Sequence, residues 1–343
     1  MVFLFHAFIV ARPGLNNTKY NEIFLDFSSY SIPEIILSFS PVAYGHSGVQ
    51  LFLILSGFLI HFNYLNRGKR LNYFVFMNRR FWRIYPTYAL FLVVFAYFFY
   101  RGKVDFLLHA SLLHNLSDKY LYSINPSFWS LALEFQLYAI YPLYLFLNRT
   151  FGALKTLWII GIMAGIFIGV GIYVDIESQA YNKFLFKNWI TWVLGAYVAE
   201  CYHKNMKFYN GNWWSVLFIS VAIIISKAFS IYWELNVYLF SILYAIILDK
   251  FLREEINLYP FANRIFNFIS FVGVISYSLY LIHQPFLSEL MNLFSFGTGN
   301  AFLSFTLTFA FLTAVSYGVY LIVEKPSIAT GRKIERWINK RDS

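Results

Sequence analysis

Ionisable groups inside apolar runs are costly to bury and are functional candidates by default. His6 is one, since every neighbour from Met1 to Val10 is apolar. A neutral imidazole can take a proton near pH 7, which suits a general base that activates a hydroxyl. The alternative is a histidine bonded to a backbone carbonyl between helices. Glu134 is another, in the stretch Phe128-Trp-Ser-Leu-Ala-Leu-Glu-Phe-Gln-Leu-Tyr138 behind Asn125-Pro126. Helical spacing of four puts Ser130, Glu134 and Tyr138 on one face. A carboxylate there must be paired, protonated or facing water. It can orient a histidine, bind a sugar hydroxyl or close a structural network.

A third collection is Ser276-Tyr-Ser-Leu-Tyr-Leu-Ile-His283-Gln-Pro285, where positions 276, 280 and 283 are expected to share a helix face. With Trp129, Ser130 and Tyr138, residues Tyr280 and His283 then form a candidate substrate wall; a Pro-kinked helix on polar neighbours is the rival reading. Arg79, Arg80 and Arg83 crowd the start of another apolar run. Guanidinium groups grip phosphate through paired hydrogen bonds, so the cluster can hold a nucleotide cofactor, or it can simply anchor a helix end. Other chemistries are set aside. Gly45-His-Ser47-Gly48-Val49 lacks the second glycine of a serine nucleophile elbow. His109 and His114 lack further close ligands, Cys201 stands alone, and no metal site is expected.

The elements that must position these residues are membrane helices. Of the 343 residues, 59% are hydrophobic and 13% charged, and the mean hydropathy is +0.56, far from a soluble domain. Runs long enough to cross about 30 Å of hydrocarbon lie near 49–64, 84–100, 128–147, 157–174, 188–202, 214–231, 237–251, 268–290 and 302–323. Residues 1–11 are apolar but reach only about half of the core at 1.5 Å per residue. The expected fold is therefore all-α, a bundle of about ten transmembrane helices whose first helix is truncated at its N-terminus. The formal charge of +10 sorts by loop, with 19 of the 27 Lys and Arg on one alternate set. Cytoplasmic loops hold such an excess, which places both termini inside and makes the charge a topology signal rather than a mark of nucleic-acid binding. Residues 327–343 read as a basic cytoplasmic tail after a membrane domain at 1–326.

Four blocks in order resemble the acyltransferase-3 family of membrane acyltransferases: Gly45-His-Ser-Gly-Val-Gln-Leu-Phe-Leu-Ile-Leu-Ser-Gly-Phe-Leu-Ile60; Arg79-Arg-Phe-Trp-Arg-Ile-Tyr-Pro86; Phe128 to Glu134 with Gln136, Tyr138 and Pro142; and Tyr277 to Pro285 with Glu324-Lys-Pro326. The resemblance implies transfer of an acyl group, acetyl being expected, from cytoplasmic acyl-CoA to a carbohydrate hydroxyl, in a bacterial inner membrane. His6 would be the family's first-helix histidine, and Arg80 and Arg83 would engage the donor. Gln50 stands where many members have Asp. The family's arginine about ten residues before the histidine would fall ahead of Met1, in keeping with a missing start. The rivals are a transporter or flippase for a lipid-linked sugar, whose two-halved symmetry is not visible, and a catalytically dead regulatory membrane protein.

Overall fold

Hydrocarbon offers the backbone no hydrogen bonds, so an apolar run that enters it must satisfy its own peptide groups as a helix or closed barrel. The computed structural model describes residues 2–11, 44–99, 102–228, 233–253, 260–295 and 300–341, and every regular element among them is helical. These are α1 (Val2–Ala11), a 3₁₀ turn (Gly45–Ser47) leading into α2 (Gly48–Asn66), α3 (Tyr73–Phe99), α4 (Lys103–Ala110) with a 3₁₀ turn at His114–Leu116, α5 (Phe128–Ala139), α6 (Tyr141–Phe151), α7 (Ala153–Tyr173), α8 (Gln179–Asn182), α9 (Leu185–His203), α10 (Trp213–Ala228), α11 (Trp233–Arg253), α12 (Pro260–Ile282), α13 (Leu287–Leu293), α14 (Ala301–Val319), a π turn (Tyr320–Glu324) and α15 (Lys325–Arg341). Residues 12–43, between α1 and the Gly45–Ser47 turn, lie outside the described residues.

Among the described residues the nine expected spans fall on helices, but two of them, 128–147 and 268–290, are broken into helix pairs, and fewer satisfy a strict membrane criterion. Among the described residues five helices are long and apolar enough to cross a bilayer, or six if a bent pair is one span. That pair corrects the reading of 128–147 as one helix. α5 and α6 meet at Ile140 with a 49° bend, because Pro142 has no N–H to bond one turn back and disfavours helical geometry at Tyr141. α9 is 19 residues long, yet it carries Lys187, Asn188, Thr191 and Glu200, all buried. α7 shows what solvent the fold requires: Trp158, Ile162, Ile166 and Val170, spaced by four along one face, are all exposed. An apolar stripe of that length belongs against lipid chains.

The chain divides into two compact units. The first comprises residues 1–69, 151–164 and 188–256. Here α2 packs on α11 and α11 on α10, around Ile54, Phe58, Val198, Ala199, Ile223, Phe240 and Tyr244. α2 and α9 approach until their backbones touch: a Cβ on Gly57 would stand 2.0 Å from the Trp192 carbonyl oxygen, and one on Gly195 2.1 Å from that of Ile54. Small residues allow such close approach where apolar attraction between helices is weak. Further along the same pair, His61 Nε2 lies 3.0 Å from Glu200 Oε1, whose other oxygen is 3.1 Å from Lys204 Nζ.

The second unit comprises residues 70–150, 165–187 and 257–343. α12 and α13 pack on α14, and α15 packs along the start of α3. The segment 327–343, expected as a basic tail, is thus helical as far as Arg341 and held in place. Asn78 Nδ2 donates to the Gly331 carbonyl at 2.8 Å, Arg79 makes a two-pronged ion pair with Glu335, and a Cβ on Gly331 would meet Trp82 at 2.8 Å.

Candidate functional site

In the second unit the polar residues of α5 turn inward as their spacing of four requires. Glu134 is 5% exposed, and one turn on, Tyr138 Oη donates to its Oε1. The Arg80 guanidinium from α3 lies 5.1 Å from the Phe76 ring centroid and 5.6 Å from that of Tyr138, and Glu134 is among the charges acting on it. A cation over two aromatic faces beside a carboxylate is held by quadrupole and charge together. The half-buried Arg80 therefore joins the buried Tyr138 and Glu134 in one cluster.

One turn back along α5, Ser130 Oγ is 2.7 Å from Tyr280 Oη on α12. Tyr280 leads to His283, whose Nδ1 is 2.8 Å from the Tyr280 carbonyl. The loop before α5 fixes this contact. Asn125 Nδ2 donates to the Leu281 carbonyl at 2.8 Å, the Asn125 Oδ1 accepts from the Ser127 N–H at 2.9 Å, and Ser127 Oγ donates to Gln284 at 2.7 Å. Asn125 and Ser127 thus tie the start of α5 to the end of α12.

The structure corrects the expected face of α12. Ser276 is exposed and bonds to the Gly273 carbonyl, whereas Ser278 is buried and donates to Glu324 Oε2 at 2.9 Å. Tyr277 Oη donates to the Ile84 carbonyl of α3 at 2.7 Å. Glu324, itself 5% exposed, was singled out only as part of a closing motif; the structure bonds it to Ser278 from the π turn, with the Arg83 charge acting on it. Single π turns often mark functional places in a helix. The three arginines accordingly part company: Arg79 pairs with α15, Arg80 with the Tyr138–Glu134 cluster, and Arg83 with the field of Glu324. Trp129 stands apart from Ser130, its ring carrying the Lys183 ammonium 4.4 Å from the centroid.

His6 belongs to the first unit, where α1 packs on the Gly45–Ser47 turn. The Phe5 ring lies between two imidazoles, with centroids 5.5 Å from His6 and 5.6 Å from His46. Ser47 Oγ is 2.6 Å from Tyr244 Oη, and donates to the Tyr44 carbonyl at 2.6 Å. Gln50, in the first turn of α2, is nearly buried with no bond to its Oε1. Thus His6 and Glu134, expected as a catalytic pair, fall in different units, and a bonded partner of Glu134 is Tyr138.

Outside the spans, His109 and His114 stack with centroids 3.9 Å apart, and His109 Nδ1 is 3.1 Å from Asp105 Oδ1. Among the described residues no group of three potential ligands could hold a metal ion. Burial, and then the charge of His109, holds His114 well below the usual imidazole range, and burial lowers His109 despite the bonds to Asp105. The unfolded chain binds protons at these sites near pH 6.5 and the folded one does not. Stability from the neutral pair is present above that pH and lost as pH falls through it. Thermal unfolding between pH 7.5 and 5 is expected to show this loss, and His114→Phe to reduce it; an unchanged acid sensitivity would assign it elsewhere.

The acyltransferase-3 family model, described as an acyltransferase domain, matches residues 1–322. No curated protein and no solved structure matches the chain. With membrane-length helices, buried polar clusters in their midst and a family match over nearly the whole length, the chain belongs to the acyltransferase-3 family of membrane acyltransferases.

Proposed function

We propose that the protein moves an acyl group, acetyl in the simplest case, from cytoplasmic acyl-CoA to a hydroxyl of a carbohydrate such as a surface polysaccharide or its lipid-linked precursor. The observation that carries this reading is the Arg80–Tyr138–Glu134 cluster, set in a chain whose family transfers acyl groups. In this reading the chain crosses a bacterial inner membrane about ten times with both termini inside, and the donor approaches from the side where the arginines lie.

Arg79 is bound to Glu335, which leaves Arg80 and Arg83 to meet the phosphates of the donor. His6 takes the proton of the acceptor hydroxyl as its oxygen attacks the thioester carbonyl carbon. The carbon–sulfur bond then breaks, and the CoA thiolate leaves with the proton returned by His6. Ser130, Tyr138, Tyr280 and His283 supply hydrogen-bonding groups for the acceptor, and Trp129 an aromatic face. No metal takes part in this scheme. A route in which His6 is itself acylated is chemically open; incubation with donor alone, followed by intact-mass measurement, separates it from direct transfer.

Mass spectrometry of surface polysaccharide tests the function. Cells carrying the gene are expected to show an acyl mass increment that is absent with His6→Ala and with no gene, since loss of a general base costs about 10²–10⁴ in rate. An increment that persists with His6→Ala removes His6 from the chemistry. Identical glycans in all three strains would end the polysaccharide reading.

A further inference from the structure

The last helix of the second unit, α15, has two unlike faces. Gly331 and Glu335, one turn apart, meet Asn78, Trp82 and Arg79 of α3, and Ile334 and Ile338 beside them are half-buried. Helical spacing puts Arg332, Lys333, Arg336, Trp337 and Lys340 together on the opposite face, and all five are exposed. Glu335, the single carboxylate of this helix, is turned to Arg79. Among the described residues Arg332, Lys333 and Arg336 make no ion pair, and Arg336 Nε donates to the Arg332 carbonyl at 3.4 Å. Like charges one turn apart destabilise a helix, so this face works against its own fold unless an anion covers it.

Its place says which anion. Phe302–Lys340 is one continuous helix, uncharged as far as Val323 and basic beyond Glu324. The stretch 302–323 is about 33 Å long at 1.5 Å per residue and fills a core of roughly 30 Å, so α15 emerges on its aqueous side. We propose that the exposed face of α15 binds the headgroups of anionic phospholipids. Arg332 and Lys333 stand about 14–15 Å along the helix from Val323. That is within the headgroup layer of about 5–8 Å plus a Debye length of about 8 Å, over which an anionic surface attracts basic residues. Arg336, one turn further, reaches back by its long side chain. Guanidinium groups meet phosphate oxygens through paired hydrogen bonds, and Trp337, 62% exposed, suits an interface where its ring and its N–H both find partners. Lipid on this face and α3 on the other then hold α15, and with it Arg79, between them. The inference rests on the membrane reading of the chain and is independent of acyl transfer.

Hydrogen exchange tests it without any turnover. Peptides covering residues 327–341 are followed in the full chain, in nanodiscs of phosphatidylcholine alone and of phosphatidylcholine mixed with phosphatidylglycerol. Exchange is expected to be about fivefold or more slower in the anionic discs, the factor that even one basic residue near such a surface provides. The slowing should vanish at about 1 M salt, where the Debye length is roughly 3 Å. The triple variant Arg332→Gln, Lys333→Gln, Arg336→Gln keeps Gly331 and Glu335. It should exchange like the parent in phosphatidylcholine, which shows that α15 is still folded on α3, and gain nothing from phosphatidylglycerol. No slowing in the parent, or the same slowing in the variant, overturns the inference. Equal slowing in peptides of α7 assigns the effect to the bilayer as a whole and overturns it too. So does pyrophosphate in phosphatidylcholine discs, if it slows exchange as much as the lipid, because the face then takes a soluble anion.

Discussion

Glu134→Ala is expected to abolish acyl transfer and to lower the melting temperature of the detergent-solubilised protein by several degrees. The carboxylate accepts from Tyr138 Oη and acts on the Arg80 guanidinium. Deleting it leaves the buried Tyr138 phenol without its acceptor and the Arg80 guanidinium without one of the charges acting on it, and an unsatisfied buried polar group costs about 1–3 kcal/mol. Glu134→Gln keeps the acceptor oxygen for Tyr138 and removes only the charge. It should therefore recover most of the stability, and the activity it recovers measures how far transfer depends on the carboxylate as a charge. Arg80→Met combined with Glu134→Gln tests the coupling. If the two changes add without interaction, by melting temperature and by turnover of acetyl-CoA, the cluster is not a unit.

The second large effect is expected at the crossing of α2 and α9. Gly57→Ala adds a carbon 2.0 Å from the Trp192 carbonyl oxygen, and Gly195→Ala one 2.1 Å from that of Ile54. Neither obstacle is a flexible side chain, so the helices themselves must part by roughly 1 Å to restore contact distance, and overpacking of this kind costs about 1–3 kcal/mol or more. Separation would strain the His61–Glu200 contact, 3.0 Å long, on the same pair of helices. Each alanine variant should melt earlier than the parent, and Gly195→Leu should fail to give a monodisperse peak on size exclusion. A Gly195→Leu protein that elutes and melts like the parent would show that α2 and α9 are not packed this closely in the membrane.

Much of this site could be read before any coordinates, because a hydrocarbon environment makes every polar residue conspicuous. Ser130, Glu134 and Tyr138 stand out by helical spacing alone, and the Ser130–Tyr280 contact joins two of the stretches singled out for that reason. Long-range pairings were beyond reach. Ser278 meets Glu324 across 46 positions and Arg79 meets Glu335 across 256, and no local rule links residues so far apart. The Arg79 pairing matters most, since α15 claims one of the three arginines offered as a phosphate grip. Helix rotation was also misjudged, since a shift of two positions decides whether Ser276 or Ser278 faces inward. The break at Ile140 could have been anticipated from Pro142, but the run from Phe128 to Leu147 is apolar enough to pass for one helix. Its polar cluster and the His6 region fall in separate compact units, a division that hydropathy does not reveal.

The length of α3 has a consequence for the membrane that hosts the protein. With 27 residues it is about 40 Å long at 1.5 Å per residue, against roughly 30 Å for a typical hydrocarbon core. α7, at 21 residues, is about 31 Å long and matches that core without adjustment. The surplus on α3, roughly 10 Å, is its first two turns, where Asn78, Arg79 and Arg80 are found, braced by α15. In a bilayer of ordinary thickness those turns stand at headgroup level, whereas a thicker one would draw guanidinium groups toward the acyl chains. The depth of these arginines is thus set by hydrophobic mismatch, and lipid chain length becomes a physical parameter of the protein.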